Sequence, residues 1–528
     1  MTVLGLAALA ACENTSAVSA GGGPQFPSRA AALGEFPDNP LLAFVPAETP
    51  YAFATFKPLP IDVIRKTTGM IGPIWRRAFA ASMAQAPDSA DQRRVVEDIL
   101  DALDTLDVKR FEEYGFSAKA RFAVYGIGAY PVVRIELSNG DRVFDLVRHA
   151  AERWNEQLPP PTERAGRRYW IVDLPVTGVF LAIAPKEAVL AIAPRSVIDG
   201  SLPALLGERR PASSMTTAQF RALAERDGFT GQGVGFVDLA RVGALVANVA
   251  GAAPDCRAAV AAITKHAPRL AVGYDELTVH RLAFGMVLEL APEVLADARG
   301  LTGSLAGLDG LLGLKPAIAV AVAGNLEHGR TVLGRAAGAL QDLGRRCEMS
   351  SLVDGVTDLA AAAARPLPPV VAGLHGGFLV VNNLKMGAHG PEAIDGFGSV
   401  QLDHTGELLK LARGAMPEFE VKADGKARPL PPASPFSGHV AVNERAIGLG
   451  LGANSATTAA GALQGRAGPA PLALFMFDYS RMGDLLLASE RGLEADTMRE
   501  IIKVFGLATF QLLVDARGVV MWGAFELR

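Results

Sequence analysis

An α+β fold built on a mainly antiparallel sheet, and written twice in succession, is what this chain of 528 residues predicts. Three observations carry that expectation. Short runs with a period of two are separated by turns of hairpin length, which favours antiparallel pairing over a doubly wound parallel sheet. Segments with helical spacing fall between runs of strands rather than alternating with each one. Several pieces recur in the same order in the two halves.

The elements follow in order. Tyr51-Ala-Phe-Ala-Thr-Phe56 alternates aromatic with small residues and reads as a strand, closed by Pro58 and Pro60. Val95, Val96, Ile99, Leu100 and Leu103 lie at helical spacing within 92–106. Residues 121–125 and 132–137 read as strands. Asn139-Gly140 then turns the chain into a helix faced by Val143, Val147, Ala150, Ala151 and Trp154. Three further strands are expected over 169–172, 179–184 and 188–193, with Pro185-Lys186-Glu187 turning between the last two. Helices follow over 197–206 and 217–226, then the strand Val234-Gly-Phe-Val-Asp238 running into a helix.

Four of these pieces have counterparts further on. Ala182 to Ile192 resembles Val440 to Gly450, each a strand, a polar turn and a strand. Phe236-Val-Asp-Leu-Ala-Arg241 matches Met476-Phe-Asp-Tyr-Ser-Arg481, and Ile135-Glu-Leu137 matches Val400-Gln-Leu402. The hairpins over 270–290 and 507–527 each carry a glycine, Gly285 and Gly523, followed by a strand ending in Glu-Leu. The expected organisation is a leader over 1–11, a Gly/Pro/Ser tether over 12–42, and two α+β modules over 43–295 and 296–528. Cys256 and Cys347 would then stand one in each module, and a disulfide between them would staple the pair.

At the amino end, Leu9-Ala10-Ala11-Cys12 closes the short apolar run Val3 to Ala11. That run is too short to span a bilayer, which takes about 20 apolar residues. It resembles the lipobox of bacterial lipoproteins, although no Lys or Arg precedes Arg29. The resemblance implies signal removal before Cys12, lipidation of its sulfur by palmitate-type chains, and a membrane-anchored body in the cell envelope. By the same resemblance Glu13 favours the outer membrane over inner-membrane retention. With Val45-Pro-Ala-Glu-Thr-Pro50 opening the body, the whole is similar to uncharacterised, Ala-rich bacterial envelope lipoproteins. Such a family implies location rather than activity.

Composition narrows the function classes. Half the residues are hydrophobic and a fifth charged, which argues for large cores rather than disorder. The net charge of −4, without a basic stripe, argues against nucleic acid as a partner. The apolar stretch 301–323 contains Asp309, Lys315 and Pro316 and reads as core rather than a membrane span. Local signatures of catalysis are missing, so no catalytic residue, cofactor or metal is expected.

The candidate ligand-site residues are polar. Asp238 with Arg241 and Asp478 with Arg481 would mark two equivalent sites or, more simply, cap the helices they open. His375 stands beside a strand in Leu374-His-Gly-Gly377. Gly448-Leu-Gly450-Leu-Gly452 has the look of a dinucleotide turn but lacks the surrounding βαβ unit, so tight strand packing is the expectation. The function expected is binding or scaffolding of envelope proteins. The alternatives are a carrier of a lipid or other apolar ligand and, behind it, a hydrolase with a dispersed site.

Overall fold

The computed structural model describes residues 36–528 apart from 59, 61, 64–65, 67–111, 118, 154–158, 174–176, 250–252, 309–314, 388–389, 416–420, 432–433, 435, 465–466 and 484–492. Cys12, the tether as far as residue 35, the helix expected over 92–106 and Trp154 lie outside the described residues.

The packed body begins earlier than residue 43. Phe36 stacks on Phe56 with ring centroids 4.3 Å apart, and Leu41 and Leu42 are buried. Asn39 caps the 3-10 helix Pro40–Phe44, and its side-chain amide donates to the carbonyls of Thr55 and Phe122. Asn39 and Pro40 therefore start a helical turn, as both residues do when apolar side chains follow them.

Among the described residues twelve α-helices and twenty-one strands make an α+β fold. The first half contributes β1 (Tyr51–Ala54), β2 (Phe122–Ile127), β3 (Tyr130–Glu136), β4 (Thr162–Arg164), β5 (Arg167–Asp173), β6 (Gly178–Ala184), β7 (Glu187–Ala193), β8 (Val234–Asp238), β9 (Arg269–Leu277) and β10 (Arg281–Glu289). The second half contributes β11 (Ser304–Ala306), β12 (Ile318–Ala323), β13 (Leu374–Gly387), β14 (Gly390–Leu402), β15 (Arg428–Pro429), β16 (Gly438–Val442), β17 (Ala446–Leu451), β18 (Ala467–Pro469), β19 (Ala473–Asp478), β20 (Phe505–Val514) and β21 (Gly518–Leu527). The helices are α1 (Gly140–Arg153), α2 (Arg195–Leu205), α3 (Thr217–Asp227), α4 (Leu239–Val249), α5 (Pro254–His266), α6 (Pro292–Arg299), α7 (Leu326–Arg346), α8 (Ser350–Ala364), α9 (Pro369–Ala372), α10 (Gly406–Ala415), α11 (Ser455–Gly461) and α12 (Leu493–Val504).

Every pairing in the sheet is antiparallel. Through the first half the order runs β4-β5-β6-β7-β3-β2-β1-β8-β9-β10. There β10 pairs with β21, and the order continues β20-β19-β12-β13-β14-β17-β16-β15. β11 and β18 form a separate two-stranded ribbon.

One face of the first half is closed by the 3-10 helix, α2 and α3. Phe56, Tyr125, Phe180, Ile198, Leu205 and Phe220 form its core. The same face of the second half holds a smaller cluster, with Leu305, Ala319, Ala321, Phe378, Val380 and Leu474 at its centre. On the opposite face helices cover the two ends. α1 packs Val143 and Phe144 against Trp170 and Ile183, which alternate with the core residues Tyr169 and Ala182. At the far end α10 sets Leu409 on Val440 and Val442.

α7 and α8 form an antiparallel helical hairpin. The disulfide from Cys256 in α5 to Cys347 ties the end of α7 to the first half, with Cα atoms 4.7 Å apart. Both sulfurs come from residues expected to bridge the halves.

Candidate functional site

The polar candidates resolve into local structure. Asp238 ends β8, and its carboxylate accepts from the Arg241 backbone N–H at 3.0 Å, which caps α4. Arg241 folds back onto that carboxylate at 3.3 Å and donates to the Ala47 and Thr49 carbonyls. Asp478 repeats the arrangement: it accepts from the Ser480 and Arg481 N–H groups, and Arg481 lies 3.7 Å away, donating to Asn382. The two pairs sit at equivalent strand ends and are not brought together. His375 is exposed on β13 and pairs with Asp403 at 2.7 Å.

The glycine turn is a packing device. A Cβ on Gly448 would stand 2.2 Å from the Ala459 carbonyl oxygen, and one on Gly450 2.1 Å from that of Ser455. α11 therefore lies directly on β17, in the space a phosphate would need.

The feature that stands out is apolar. In β12, Ile318-Ala-Val-Ala-Val-Ala323, the alanines point into the core and the valines point out, Val322 being 51 % exposed. The usual allocation of large residues to the inside is reversed. Register extends the exposed row across the sheet, because directly paired residues share a face. Val320 lies between Leu379 of β13 and Phe475 of β19. Val322 pairs with Gly377, which pairs in turn with Val400 of β14. Leu379, Val400 and Phe475 are exposed as well.

From Phe475 a run of ring contacts continues through Phe477, Tyr479, Phe505 and Phe525, with centroids 4.9 to 6.1 Å apart. It crosses to the first half where Phe525 stacks on Phe284. Burial pushes the Tyr479 phenol above its ordinary pKa, so the run stays uncharged at neutral pH.

At the edge of this face the hairpin α7–α8 leaves a groove of about 560 Å³. Val322, Leu326, Leu333, Ala336, Ala362 and Leu472 line it, and Val322 belongs to both surfaces. One charged side chain borders the groove, Arg330, tied to Glu327 and to the Ala363 carbonyl. The size and lining fit an apolar guest. Among the described residues no cluster of His, Cys, Asp and Glu could hold a metal, and no helix is long and apolar enough to cross a membrane.

No family model matches the chain, and no curated protein does. A solved structure titled "Structure of crystal form I of TP0453" is similar at 11% identity and a TM-score of 0.23, over 51% of this chain and 88% of that one.

Proposed function

We propose that this chain is a non-enzymatic binding protein of a bacterial envelope, anchored through lipid on Cys12 and made of two copies of one α+β unit, the second of which holds an apolar ligand or partner. The observation that carries the reading is the exposed row Val320, Val322, Leu379, Val400 and Phe475 running into the groove beneath α7–α8. Contiguous exposed apolar surface marks a place where something binds. Covering the exposed part of such side chains is worth about 1 kcal/mol each, taken as half the value for full burial. The lining offers hydrocarbon and a single guanidinium, which suits retention rather than proton transfer.

The strand order supports the duplication. β1, β2, β3, β7 and β6 on one side of β8–β9–β10 correspond in position to β12, β13, β14, β17 and β16 beside β19–β20–β21. At the seam Gly285 pairs with Trp522. Glu289-Leu290 follows the first of these by four and five residues, and Glu526-Leu527 follows the second by the same steps. An antiparallel seam of this kind is compatible with a two-fold axis between the halves.

Two measurements test the reading. Metabolic palmitate labelling should mark the wild type and not Cys12→Ala, with the wild-type body in the membrane fraction; an unlabelled body free in the cytosol contradicts it. Mass spectrometry of the gently purified protein distinguishes the occupants. A copurified lipid that is lost in Leu333→Glu favours the carrier reading, which the groove supports. A protein retained on the open face and lost in Leu379→Glu favours the scaffold.

A further inference from the structure

A second cavity, of about 230 Å³, lies at the seam of the two halves on the face opposite the apolar row. Gly285 and Val287 of β10 and Val520 and Trp522 of β21 form its floor, and Phe229 forms one wall. Phe229 fits there because two residues lack side chains. A Cβ on Gly273 would stand 2.4 Å from the ring, and one on Gly285 would stand 2.9 Å away.

The polar contents are unusual. Along β9 the register against β10 shifts, Tyr274 pairing with Phe284 and Glu276 with Ala283, so Asp275 is the extra residue of a bulge. The bulge turns its carboxylate into the cavity, where the Trp522 indole N–H donates to it at 3.1 Å.

The other charges nearby are answered locally. Arg517, which lines the cavity with Asp515 and Asp227, is held by Asp515 at 2.5 Å and donates to the Asp227 carbonyl. Asp227 is paired with Arg226 at 2.7 Å. Arg281 is engaged by Glu276 at 3.1 Å and lies over the Trp522 ring, 5.6 Å from its centroid. Among the described residues no cation stands within ion-pair distance of Asp275. Its one hydrogen bond comes from a neutral donor.

A half-buried carboxylate whose nearest cations, Arg281 and Arg517, stand beyond ion-pair distance and are engaged by other carboxylates costs stability, because a single neutral hydrogen bond does not replace its hydration. Here it shares the cavity with two aromatic rings, Phe229 in the wall and Trp522 in the floor, and ring faces attract cations. We propose that this cavity binds a small organic molecule bearing a primary ammonium, with the charge on the Asp275 carboxylate and the apolar body between Phe229 and Trp522. The cavity lies away from the apolar face, so occupancy of one does not require the other.

The test is isothermal titration calorimetry at neutral pH with 3-methylbutylammonium as the probe and 3-methylbutanol as its neutral match. The full-length protein should bind the amine saturably and show no saturable binding of the alcohol. Asp275→Asn keeps an acceptor for the indole N–H, so it should fold with an unreduced thermal midpoint while losing at least about tenfold in affinity for the amine. Asp424→Asn, beside β15 at the other end of the sheet, removes the same charge and should leave the affinity unchanged. Equal affinity in wild type and Asp275→Asn, equal binding of the alcohol, an equal loss in Asp424→Asn, or no saturable binding to the wild type overturns the proposal.

Discussion

The two halves run their strands in the same order and allocate their side chains differently. β3 and β14 hold matching positions, and the residues just before Ile135-Glu-Leu137 and Val400-Gln-Leu402 are Arg134 and Ser399, both buried. Arg134, with a side chain 0% exposed, pairs with Glu187 at 2.5 Å and donates to the Tyr125 hydroxyl and to the carbonyls of Ala204 and Leu205 at the end of α2. Phe44 lies against its guanidinium, 4.3 Å from ring centroid to Cζ. Ser399 lies between Phe378 of β13 and Gly448 of β17, and its hydroxyl has no partner among the described residues. The first half thus fills one face with large aromatic side chains around a satisfied arginine. The second packs alanine inward and presents valine, leucine and phenylalanine to solvent. One strand order thus carries two allocations of side chains, large residues inward in the first half and outward along β12 in the second.

The largest expected effect concerns the link between the halves. Removing the disulfide with Cys256→Ala and Cys347→Ala frees a loop whose ends are 91 residues apart, worth about 4–5 kcal/mol in the chain-entropy account. Urea unfolding should show that loss, with the second half opening first. An unchanged midpoint would mean that the noncovalent seam alone holds the halves.

Next comes the contrast at the matched positions. Arg134→Met leaves Glu187 with Arg167 as its remaining partner at 2.6 Å, unpairs two helix-end carbonyls and should cost about 3 kcal/mol. Ser399→Ala removes an unsatisfied hydroxyl and should be neutral or stabilise by about 1 kcal/mol. Similar losses at both positions would erase the distinction between the two allocations.

Asp275 gives a smaller, pH-dependent effect. Burial lifts its carboxyl above the ordinary carboxylate range, while the Trp522 hydrogen bond and the more distant Arg281 and Arg517 pull it back. A carboxyl raised on folding favours the native state below its unfolded pKa, and that contribution is lost as pH rises through the folded value. Asp275→Asn should therefore be more stable than wild type at neutral pH, with the advantage shrinking as the medium is acidified towards the ordinary carboxylate range. Urea titrations across pH measure it, and a destabilised variant at neutral pH would contradict the assignment. Smallest of all, Val322→Glu on the open face should shift stability by no more than about 0.5 kcal/mol, as for other exposed sites.

Much of the architecture was legible because its signals are local. The hairpin through Pro185-Lys186, the Asp238 cap, and the pairing of Cys256 with Cys347 each follow from turn chemistry, capping or redox context. The site was harder to read. An Ala-Val alternation announces two faces without saying which one meets the core, so 318–323 read as interior. The bulge at Asp275 is one extra residue, visible only against its partner strand. Gly285 and Gly523 looked equivalent, yet Gly285 pairs with Trp522. The two glycines therefore lie on opposite faces of the sheet, which their shared Glu-Leu ending does not announce.

The most direct test of the open face is site-specific photo-crosslinking in intact envelopes, with a diazirine residue at position 379 or 475 and, as a control, at Arg164 on the short edge strand β4. If the second half is the binding surface, positions 379 and 475 yield a discrete lipid or protein adduct that Val322→Glu suppresses, and position 164 yields none. Equal labelling at all three positions, or adducts indifferent to Val322→Glu, would contradict it.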